Sequence, residues 1–353
     1  MQEGAIGSLG VRLRGAFGRL RRVACAGLRQ RVRTEVVLGA GELGQSYLEQ
    51  LRLTGRRVRV LGVFDDRRSR VPAQLDGMPV LGGVEELVRF LHVHPVDRVV
   101  VALPWTAEAR LLDCLRRLRG VPAELRLCPD VTGVLRPLAE PGPILVQERA
   151  MGPGEALVKN TLDRLLAALL LLFTGPLLLL IALAVKASSP GPVLYRQKRH
   201  GLGGRVFELL KFRTMRAEAC EGGEAAPPAQ TSRLDPRVTP LGRWLRRTSI
   251  DELPQLVNVL RGEMSLVGPR PHAVGHDRHY ATLLDGYEAR QRVRPGLTGW
   301  AQVNGLRGET ETLEKMRRRV EHDLWYIRNR SLALDLRILL RTLLQGFGDP
   351  HAY

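Results

Sequence analysis

Apolar and polar positions alternate in two ways along residues 34–130. Short apolar runs such as EVVLG, RVRVLGVF and DRVVVAL have the length and the valine content of buried strands. Between them, ELGQSYLEQLRL and TAEARLLDCLRRL repeat their apolar residues every three to four positions, as helices with one packed face do. Strands that alternate with helices predict a parallel sheet covered by helices. We therefore predict an α/β fold class, with an N-terminal Rossmann-like parallel-sheet domain over residues 34–130.

A different pattern begins after this domain. Residues 131–158 are rich in proline and glycine, which indicates a linker. The stretch from 165 to 185 then carries no charge over 21 residues, a length that can cross a bilayer. Gly175 and Pro176 lie at its centre, and a proline inside a helix lacks the N–H that the backbone hydrogen bonds require.

Basic residues flank the uncharged stretch at both ends, although a spanning helix normally has its excess of lysine and arginine on one side. A kinked helix that enters one leaflet and returns satisfies both observations. We predict such a re-entrant membrane helix over residues 162–186, broken at Gly175 and Pro176. It would belong to a mainly α, monotopic membrane domain over residues 159–353. A full membrane span and a buried core helix are the alternatives.

Two further segments have amphipathic character. Residues 1–33 carry eight arginines and one glutamate, and their apolar residues share one helical face. This leader is either a basic amphipathic helix on a membrane surface or a solvated arginine-rich tail. Near the C-terminus, leucines collect on one face of a helix that is either interfacial or packed in a core. These leucines are Leu332, Leu336, Leu339, Leu340, Leu343 and Leu344.

Composition narrows the range of partners. The formal net charge of +18 favours anionic partners such as phosphorylated metabolites and lipid headgroups. Aromatic residues make up only 5% of the chain and no zinc-finger or RNA-binding spacing occurs, so we expect no nucleic-acid partner. The four cysteines form no CxxC pair and are typical of free thiols in a reducing compartment. The Ala/Pro/Glu/Gly-rich residues 217–236 indicate a flexible loop.

A glycine-rich motif follows the first predicted strand. GAGELG places Gly39, Gly41 and Gly44 at the start of a helix, and Asp65 ends the next strand 21 residues after Gly44. This is the context of a dinucleotide-binding fingerprint, in which the helix N-terminus attracts phosphate. Two interpretations stay open: a nucleotide site at these four residues, or a Rossmann-like domain without a cofactor.

An acidic pair, Asp251 and Glu252, follows two arginines in RRTSIDELPQLVNVLRG. Local structure explains it in two ways: Ser249 and Glu252 form a capping box, or Asp251 is the N-cap with Pro254 at the third helical position. Gly262 would end that helix. An ionised, exposed Asp251 at the helix N-terminus is also a competent nucleophile toward phosphorus. Glu252, together with Asp251, would then hold Mg²⁺.

Basic residues in rigid turns suggest phosphate binding. Arg270 lies between two prolines and Arg294 precedes a Pro-Gly pair, so each guanidinium is carried by a stiff turn. Lys211 and Arg213 add two cations within LLKFRTM. Each of these residues taken alone is more often a surface charge. Together with the acidic pair and the apolar helix, they predict a phosphate-handling site at a bilayer.

The segments YRQKRHG, FELLKFRTM, SIDELPQLVNVLRGEMSLVGPRP and VRPGLTGWAQVNG resemble the bacterial sugar transferase family. Members of this family are monotopic polyprenyl-phosphate phosphoglycosyl transferases that start the assembly of exopolysaccharides and other surface glycans. The resemblance runs from Lys159 to Leu344, and residues 34–150 resemble the Rossmann-like, CoA-binding-like domain of the larger members. It implies transfer of a sugar-1-phosphate from a UDP-sugar to undecaprenyl phosphate, with release of UMP.

The resemblance also implies roles for individual residues. Asp251 would be the nucleophile that forms a covalent aspartyl phospho-sugar, and Glu252 would be the acid associated with Mg²⁺. Arg270 and Arg294 would contact phosphates or the nucleotide. The implied location is the bacterial inner membrane, with the catalytic domain on the cytoplasmic leaflet.

Two features depart from the family pattern. The family's re-entrant helix is commonly broken at Ser-Pro, whereas this chain has Gly175-Pro176, so a hydroxyl hydrogen bond at the break must come from Thr174. The larger members usually carry several N-terminal transmembrane helices, and none precedes Glu35 here. We therefore expect either a reduced form or a truncated start.

Two other function classes are compatible with parts of the chain. A nucleotide-dependent oxidoreductase or epimerase would use GAGELG, but it requires a Tyr-x-x-x-Lys or equivalent pair that is not found in the Rossmann-like part. A non-catalytic membrane regulator would keep the fold without turnover. The sequence leaves open which UDP-sugar is used, whether the N-terminal domain binds a nucleotide, and whether the chain forms a homo-oligomer.

Overall fold

The computed structural model describes residues 32–55, 57–67, 71–129, 143–216, 235–308 and 312–345. The chain divides into two compact units, the first built on a large sheet and the second formed mainly by the chain from Leu162 onward. Nearly all of the leader at 1–33 and of the loop expected at 217–236 lies outside the described residues.

A seven-stranded sheet with the order β3-β4-β2-β1-β5-β6-β7 organises the N-terminal half. Five of its strands pair in parallel, and the antiparallel pairs β3–β4 and β6–β7 form the two edges. The strands and the helices between them are β1 (Arg33–Leu38), α1 (Glu42–Leu53), β2 (Val58–Phe64), β3 (Gln74–Leu75), β4 (Met78–Gly82), α2 (Val84–Val93), β5 (Arg98–Val101), α3 (Glu108–Arg117), β6 (Glu124–Leu127) and β7 (Ile144–Gln147).

Valine-rich runs fill the centre of this sheet. Residues 36–38 of β1 and 99–101 of β5 are completely buried, as expected for parallel strands covered on both faces. Val37 packs in one cluster with Tyr47 and Leu48 of α1 and with Val63 of β2. The predicted α/β class with a mainly parallel sheet is confirmed.

Part of the segment expected to be a linker belongs to the sheet. Ile144–Gln147 pair antiparallel with β6 as strand β7. The surrounding prolines and glycines obscured this short run, whose Ile-Leu-Val content favours a strand. Ile144, Leu145 and Val146 are exposed, which is consistent with a position at the sheet edge.

The uncharged stretch forms one long helix, α4 (Pro153–Ser188), of 36 residues. It is long and apolar enough to cross a membrane, and only 11% of its most apolar window is buried within the protein. Helical structure continues through Gly175 and Pro176, and the Thr174 hydroxyl donates a 2.7 Å hydrogen bond to the carbonyl of Leu170. A re-entrant course that turns back at this point stays a prediction.

The second unit combines short strands with helices. After α4 its elements are β8 (Leu194–His200), β9 (Val206–Phe212), α5 (Pro240–Thr248), α6 (Gln255–Arg261), β10 (Ser265–Val267), α7 (Val274–Leu283), β11 (Gly296–Thr298), α8 (Trp300–Val303), α9 (Leu313–Asn329) and α10 (Leu332–Gln345). β8 and β9 form an antiparallel hairpin, and β10 pairs in parallel with β11. Short 3₁₀ helices at Ile250–Glu252 and Tyr287–Arg292 connect the longer elements.

The leucine-rich face of α10 points away from the protein. Leu336, Leu340, Leu343 and Leu344 are exposed, whereas Ile338 on the opposite side is completely buried. Leu332 and Leu339, the other two predicted members of the face, are half-buried. The exposed leucines therefore do not pack in a core. Of the two interpretations of the helix, the exposed apolar face favours an interfacial one.

Candidate active site

The acidic pair lies in a tight turn rather than at the cap of an α-helix. Asp251 and Glu252 are in the 3₁₀ helix Ile250–Glu252, which follows Ser249 in the left-handed conformation at φ 58°. The N-cap of α6 is Pro254, so the predicted N-cap role of Asp251 is wrong. Glu252 N–H donates to the backbone carbonyl of Ser249, and no capping box forms.

The proline explains this arrangement. Because Pro254 has no N–H, it cannot donate within an α-helix, and it is tolerated at the helix start. The chain therefore makes a 3₁₀ turn before α6 begins at Gln255. Gly262 ends α6 in the left-handed conformation at φ 78°, as the sequence predicts.

Glu252 is held by two cations from distant parts of the chain. Its Oε1 accepts a 2.7 Å hydrogen bond from Lys211 Nζ. Both carboxylate oxygens are also bonded by the guanidinium of Arg270, with NH1 at 2.9 Å from Oε2 and NH2 close to Oε1. Arg270, followed by Lys211, holds the pKa of Glu252 well below its usual range against the effect of burial. Glu252 is therefore a carboxylate in a fixed orientation.

Asp251 has a different environment. It is only 7% exposed, which corrects the expectation of an exposed carboxylate. Burial raises the pKa of Asp251 from an ordinary value of 3.8 to about 6, while Lys211 opposes the rise and the negative Glu252 adds to it. Within the part of the chain that the structure describes, its carboxylate makes no hydrogen bond or ion pair. A buried carboxylate that is adjacent to cations but not engaged by them is suited to nucleophilic attack.

Packing between α6 and β9 brings the pair to Lys211. Asn258 of α6 is completely buried, its side-chain oxygen accepts from the N–H of Leu210, and its amide donates to the carbonyl of Glu208. These bonds tie the first turns after the acidic pair to the strand that carries Lys211. The apolar pattern of α6 did not indicate this role for Asn258.

Arg213 and Arg294 have other surroundings. Arg213 is 4% exposed and donates to the carbonyls of Val185, Ser189 and Pro190, at the C-terminal end of α4. These bonds satisfy carbonyls that a helix end leaves free, so its observed contacts are structural. Burial and the charge of Arg164 on α4 lower the pKa of Arg294, while Asp163 raises it. Phosphate contacts for Arg213 and Arg294 stay predictions.

Two arginines near Arg270, the half-buried Arg199 and the buried Arg319, did not stand out in the sequence. Arg199 of β8 and Arg319 of α9 each have a buried Nε without a hydrogen-bond partner among the described residues. Burial, with the added repulsion of Arg270, lowers the pKa of both to about 10. Neither makes an ion pair within the described ranges. Buried guanidinium groups without carboxylate partners favour the binding of an anion.

The glycine-rich turn of the first unit is explained by close packing. A Cβ on Gly39, which has φ 121°, would lie 2.2 Å from the carbonyl oxygen of Ala102, and one on Gly44 would lie 2.0 Å from the carbonyl oxygen of Gly39. Only Gly41 has space, with Arg67 at 3.5 Å. Nucleotide binding at these glycines stays a prediction.

Asp65, the acid expected at the end of β2, has its carboxylate engaged within the protein. It accepts a 2.9 Å hydrogen bond from the N–H of Ala40 and several from Arg67. It is completely buried. Its contacts therefore fasten the glycine-rich turn to the end of the strand.

The acidic pair also fits a magnesium ion. Among the described residues, no group of three or more histidine, cysteine, aspartate or glutamate side chains has a geometry that could hold a metal ion. Mg²⁺ commonly takes one or two carboxylates and completes its shell with water and substrate phosphates. Two adjacent carboxylates, Asp251 and Glu252, are compatible with that sparse set, and magnesium binding by them stays a prediction.

The chain is similar to known proteins over both of its parts. The family model described as bacterial sugar transferase matches residues 154–349, and one described as a CoA-binding domain matches residues 11–129. Three similar proteins share the name UDP-glucose:undecaprenyl-phosphate glucose-1-phosphate transferase.

The relatives differ in how much they share with this chain. The protein of Xanthomonas campestris pv. campestris is 44% identical over 80% of this chain and 60% of its own length. That of Caulobacter vibrioides (strain ATCC 19089 / CIP 103742 / CB 15) is 48% identical over 70% of this chain and 89% of its own length. That of Escherichia coli (strain K12) is 40% identical over 90% of this chain and 69% of its own length. The chain thus spans about 60% of the Xanthomonas protein. The family model covers more than half of the chain, and this protein belongs to the bacterial sugar transferase family.

Proposed function

We propose that the protein transfers a sugar-1-phosphate from a UDP-sugar to undecaprenyl phosphate, giving undecaprenyl-diphospho-sugar and UMP. The observation that carries this proposal is the pairing of two unlike carboxylates in one turn. Glu252 is fixed by Lys211 and Arg270, whereas Asp251 is buried beside the same cations without a hydrogen bond in the described residues. The relatives' names support the same reaction.

The reaction divides into two balanced displacements. A carboxylate oxygen of Asp251 attacks the β-phosphorus of the UDP-sugar, and the bond from that phosphorus to the bridging oxygen breaks. UMP leaves with the bonding electrons, and the sugar phosphate is held on Asp251 as an acyl phosphate. An oxygen of undecaprenyl phosphate then attacks the same phosphorus and releases the carboxylate of Asp251. Both steps transfer a phosphoryl group, so charge stabilisation supplies most of the catalysis.

The side chains around the pair each contribute to these steps. Lys211 and Arg270 keep Glu252 ionised and oriented, and their charge favours the anionic form of Asp251. Arg199 and Arg319 add positive charge that would stabilise the negative charge developing on the diphosphate of the UDP-sugar as UMP leaves. Mg²⁺, held by Asp251 and Glu252, would neutralise phosphate charge when bound.

The lipid substrate explains the apolar surfaces. We propose that α4 enters the cytoplasmic leaflet of the bacterial inner membrane as a re-entrant helix, and that the exposed leucines of α10 lie at the same interface. The phosphate of undecaprenyl phosphate would then meet Asp251 at the membrane surface. Because several relatives are named for UDP-glucose, glucose-1-phosphate is the first group to test.

The decisive experiment measures UMP release by the full chain in detergent or nanodiscs with Mg²⁺ and undecaprenyl phosphate. The panel contains UDP-glucose, UDP-galactose and their N-acetylated forms. Asp251→Asn should lower release by at least about 10³-fold, because an amide is a poor nucleophile. It should retain the folded circular dichroism spectrum. Turnover by Asp251→Asn at the wild-type rate would exclude the covalent mechanism, and a wild type inactive with every UDP-sugar would exclude the reaction.

A further inference from the structure

The backbone of Arg270 is held by a second buried arginine. NH2 of Arg290, in the 3₁₀ helix Tyr287–Arg292, donates a 2.7 Å hydrogen bond to the carbonyl oxygen of Arg270. Arg270 stands between Pro269 and Pro271, so its φ/ψ freedom is already small. The bond from Arg290 fixes the remaining orientation of the peptide from which the guanidinium reaches Glu252.

Arg290 is itself fixed in three directions. Its Nε donates a 2.8 Å hydrogen bond to Asp323 of α9, and this ion pair is almost completely buried. Its NH1 lies 3.0 Å from the hydroxyl of Tyr287, which in turn donates to Asp277 at 2.7 Å. Asp277 also accepts from Nδ1 of His200 at 2.7 Å. The guanidinium plane therefore has one orientation, and the Arg270 carbonyl lies at one of its corners.

The guanidinium of Arg290 is occupied inside the protein. Its Nε, NH1 and NH2 donate to Asp323, the Tyr287 hydroxyl and the Arg270 carbonyl, and Arg290 is only 6% exposed. The network therefore influences the reaction through the position of Arg270 rather than by contact with the substrate.

We infer that Arg290, anchored on Asp323, is a positioning residue for Arg270 and thereby for the Glu252 carboxylate. The inference rests on the proposed transferase function and adds a residue that contacts none of the reacting atoms. Lysine at this position would keep a positive charge for Asp323. It lacks the planar fork, so one ammonium group cannot reach Asp323, Tyr287 and the Arg270 carbonyl together.

A double-mutant cycle tests this role with the full chain, using UMP release and melting temperature as readouts. Arg290→Lys should lower kcat about tenfold while KM for the UDP-sugar changes less than threefold. Arg270→Lys alone should lower kcat by about 10–100-fold. If Arg290 acts through Arg270, the double variant will be no slower than Arg270→Lys alone, because the fork to be positioned has already been removed.

A matched control separates positioning from loss of stability. Arg98 and Glu35 form another buried ion pair, in the sheet of the first unit. Arg98 belongs to the first unit and Arg270 to the second. Any loss of kcat that Arg98→Lys causes alone should therefore appear in full, as an additional factor, when it is combined with Arg270→Lys. If Arg290→Lys does not fold, replacement of the whole pair by Arg290→Met with Asp323→Leu removes both charges without leaving one unpaired.

Each outcome decides the question. A double variant whose kcat loss is the product of the two single losses would overturn the inference, as would an Arg290→Lys protein with wild-type kcat. In the cycle that uses Arg290→Met with Asp323→Leu, a kcat loss equal to the product of the separate losses would also overturn the inference. A wild-type chain that releases no UMP would instead overturn the proposed function, and the role of Arg290 with it.

Discussion

Two turns in this molecule hold a buried carboxylate beside arginine, and they use it differently. At the end of β2, Asp65 accepts hydrogen bonds from the Ala40 N–H and from Arg67, two residues further along the chain. In the second unit, Asp251 is buried in a 3₁₀ turn and makes no hydrogen bond within the described residues. Its neighbour Glu252 is bonded by both nearby cations, Lys211, 41 residues earlier in the chain, and Arg270, 18 residues later.

The difference distinguishes a carboxylate that supports structure from one that is available for chemistry. Hydrogen bonds to Asp65 compensate its burial, so the group contributes to the stability of the turn. Burial of Asp251 is not compensated in this way, and its raised pKa records the cost. Such a cost is common at functional sites and uncommon elsewhere. Three substitution experiments can break or sharpen this contrast.

The largest effect is expected at the glycine-rich turn. Gly44→Ala would place a Cβ 2.0 Å from the carbonyl oxygen of Gly39, and backbone atoms cannot move aside easily. We expect a loss of more than about 3 kcal/mol in stability, seen as an early unfolding transition in calorimetry. Gly41→Ala is the matched control, since its Cβ would meet only Arg67 at 3.5 Å. Equal melting of the two variants would contradict the packing explanation.

An intermediate effect is expected from shortening the arginine forks. Arg270→Lys removes the bidentate bond to Glu252, and a charged hydrogen bond contributes about 1.5–3 kcal/mol. UMP release should therefore fall by about 10–100-fold, and the melting temperature should fall by a few degrees because lysine cannot make both bonds to Glu252. Arg67→Lys, at the other turn, should leave UMP release at the wild-type rate. A comparable loss in both variants would mean that the two turns share a function.

The smallest effect is a pH-dependent difference in stability. The folded protein holds a proton on Asp251 up to about pH 6, whereas the unfolded chain releases it near 3.8. Stability of the wild type therefore falls as pH rises through this window, and that of Asp251→Asn does not. In EDTA, the melting temperature of Asp251→Asn relative to wild type should rise by a few degrees between pH 4 and pH 7.

Asp65→Asn provides the opposite sign at the other turn. It removes the negative charge and replaces one of the two acceptor oxygens with an amide group that cannot accept from Ala40 or Arg67. Stability should fall by about 1–2 kcal/mol at neutral pH. If Asp251→Asn instead lost stability between pH 4 and pH 7, the carboxylate of Asp251 would have a stabilising partner and the contrast would be lost.

Local patterns were sufficient for much of the fold and for the choice of residues at the site. Valine-rich runs of strand length located the central strands, because burial on both faces leaves no polar positions. Twenty-one uncharged residues marked α4, and the order of motifs identified the family. Gly262 and Gly39 were found because both have a positive φ that favours glycine, although the carbonyl that excludes a Cβ at Gly39 belongs to the distant Ala102.

Other features depend on contacts between residues far apart in the chain. The sequence indicates Lys211, Glu252 and Arg270 as separate charges, but the docking of α6 on β9 through Asn258 decides that they meet. The same applies to Arg213, which resembled a phosphate ligand and whose observed contacts are at the end of α4. Asp251 could not be recognised as buried from a charged sequence context.

The physical reason is the range of the interactions. Periodicity, proline and glycine act over a few residues, so residue order predicts most of the helices and strands and the apolar helix. It did not predict strand β7 or the 3₁₀ turn at Asp251. Desolvation and charge pairing depend on which segments pack together in three dimensions. Only the folded arrangement therefore separated Asp251 from Glu252 in protonation and contacts, and only it placed Arg290 behind Arg270.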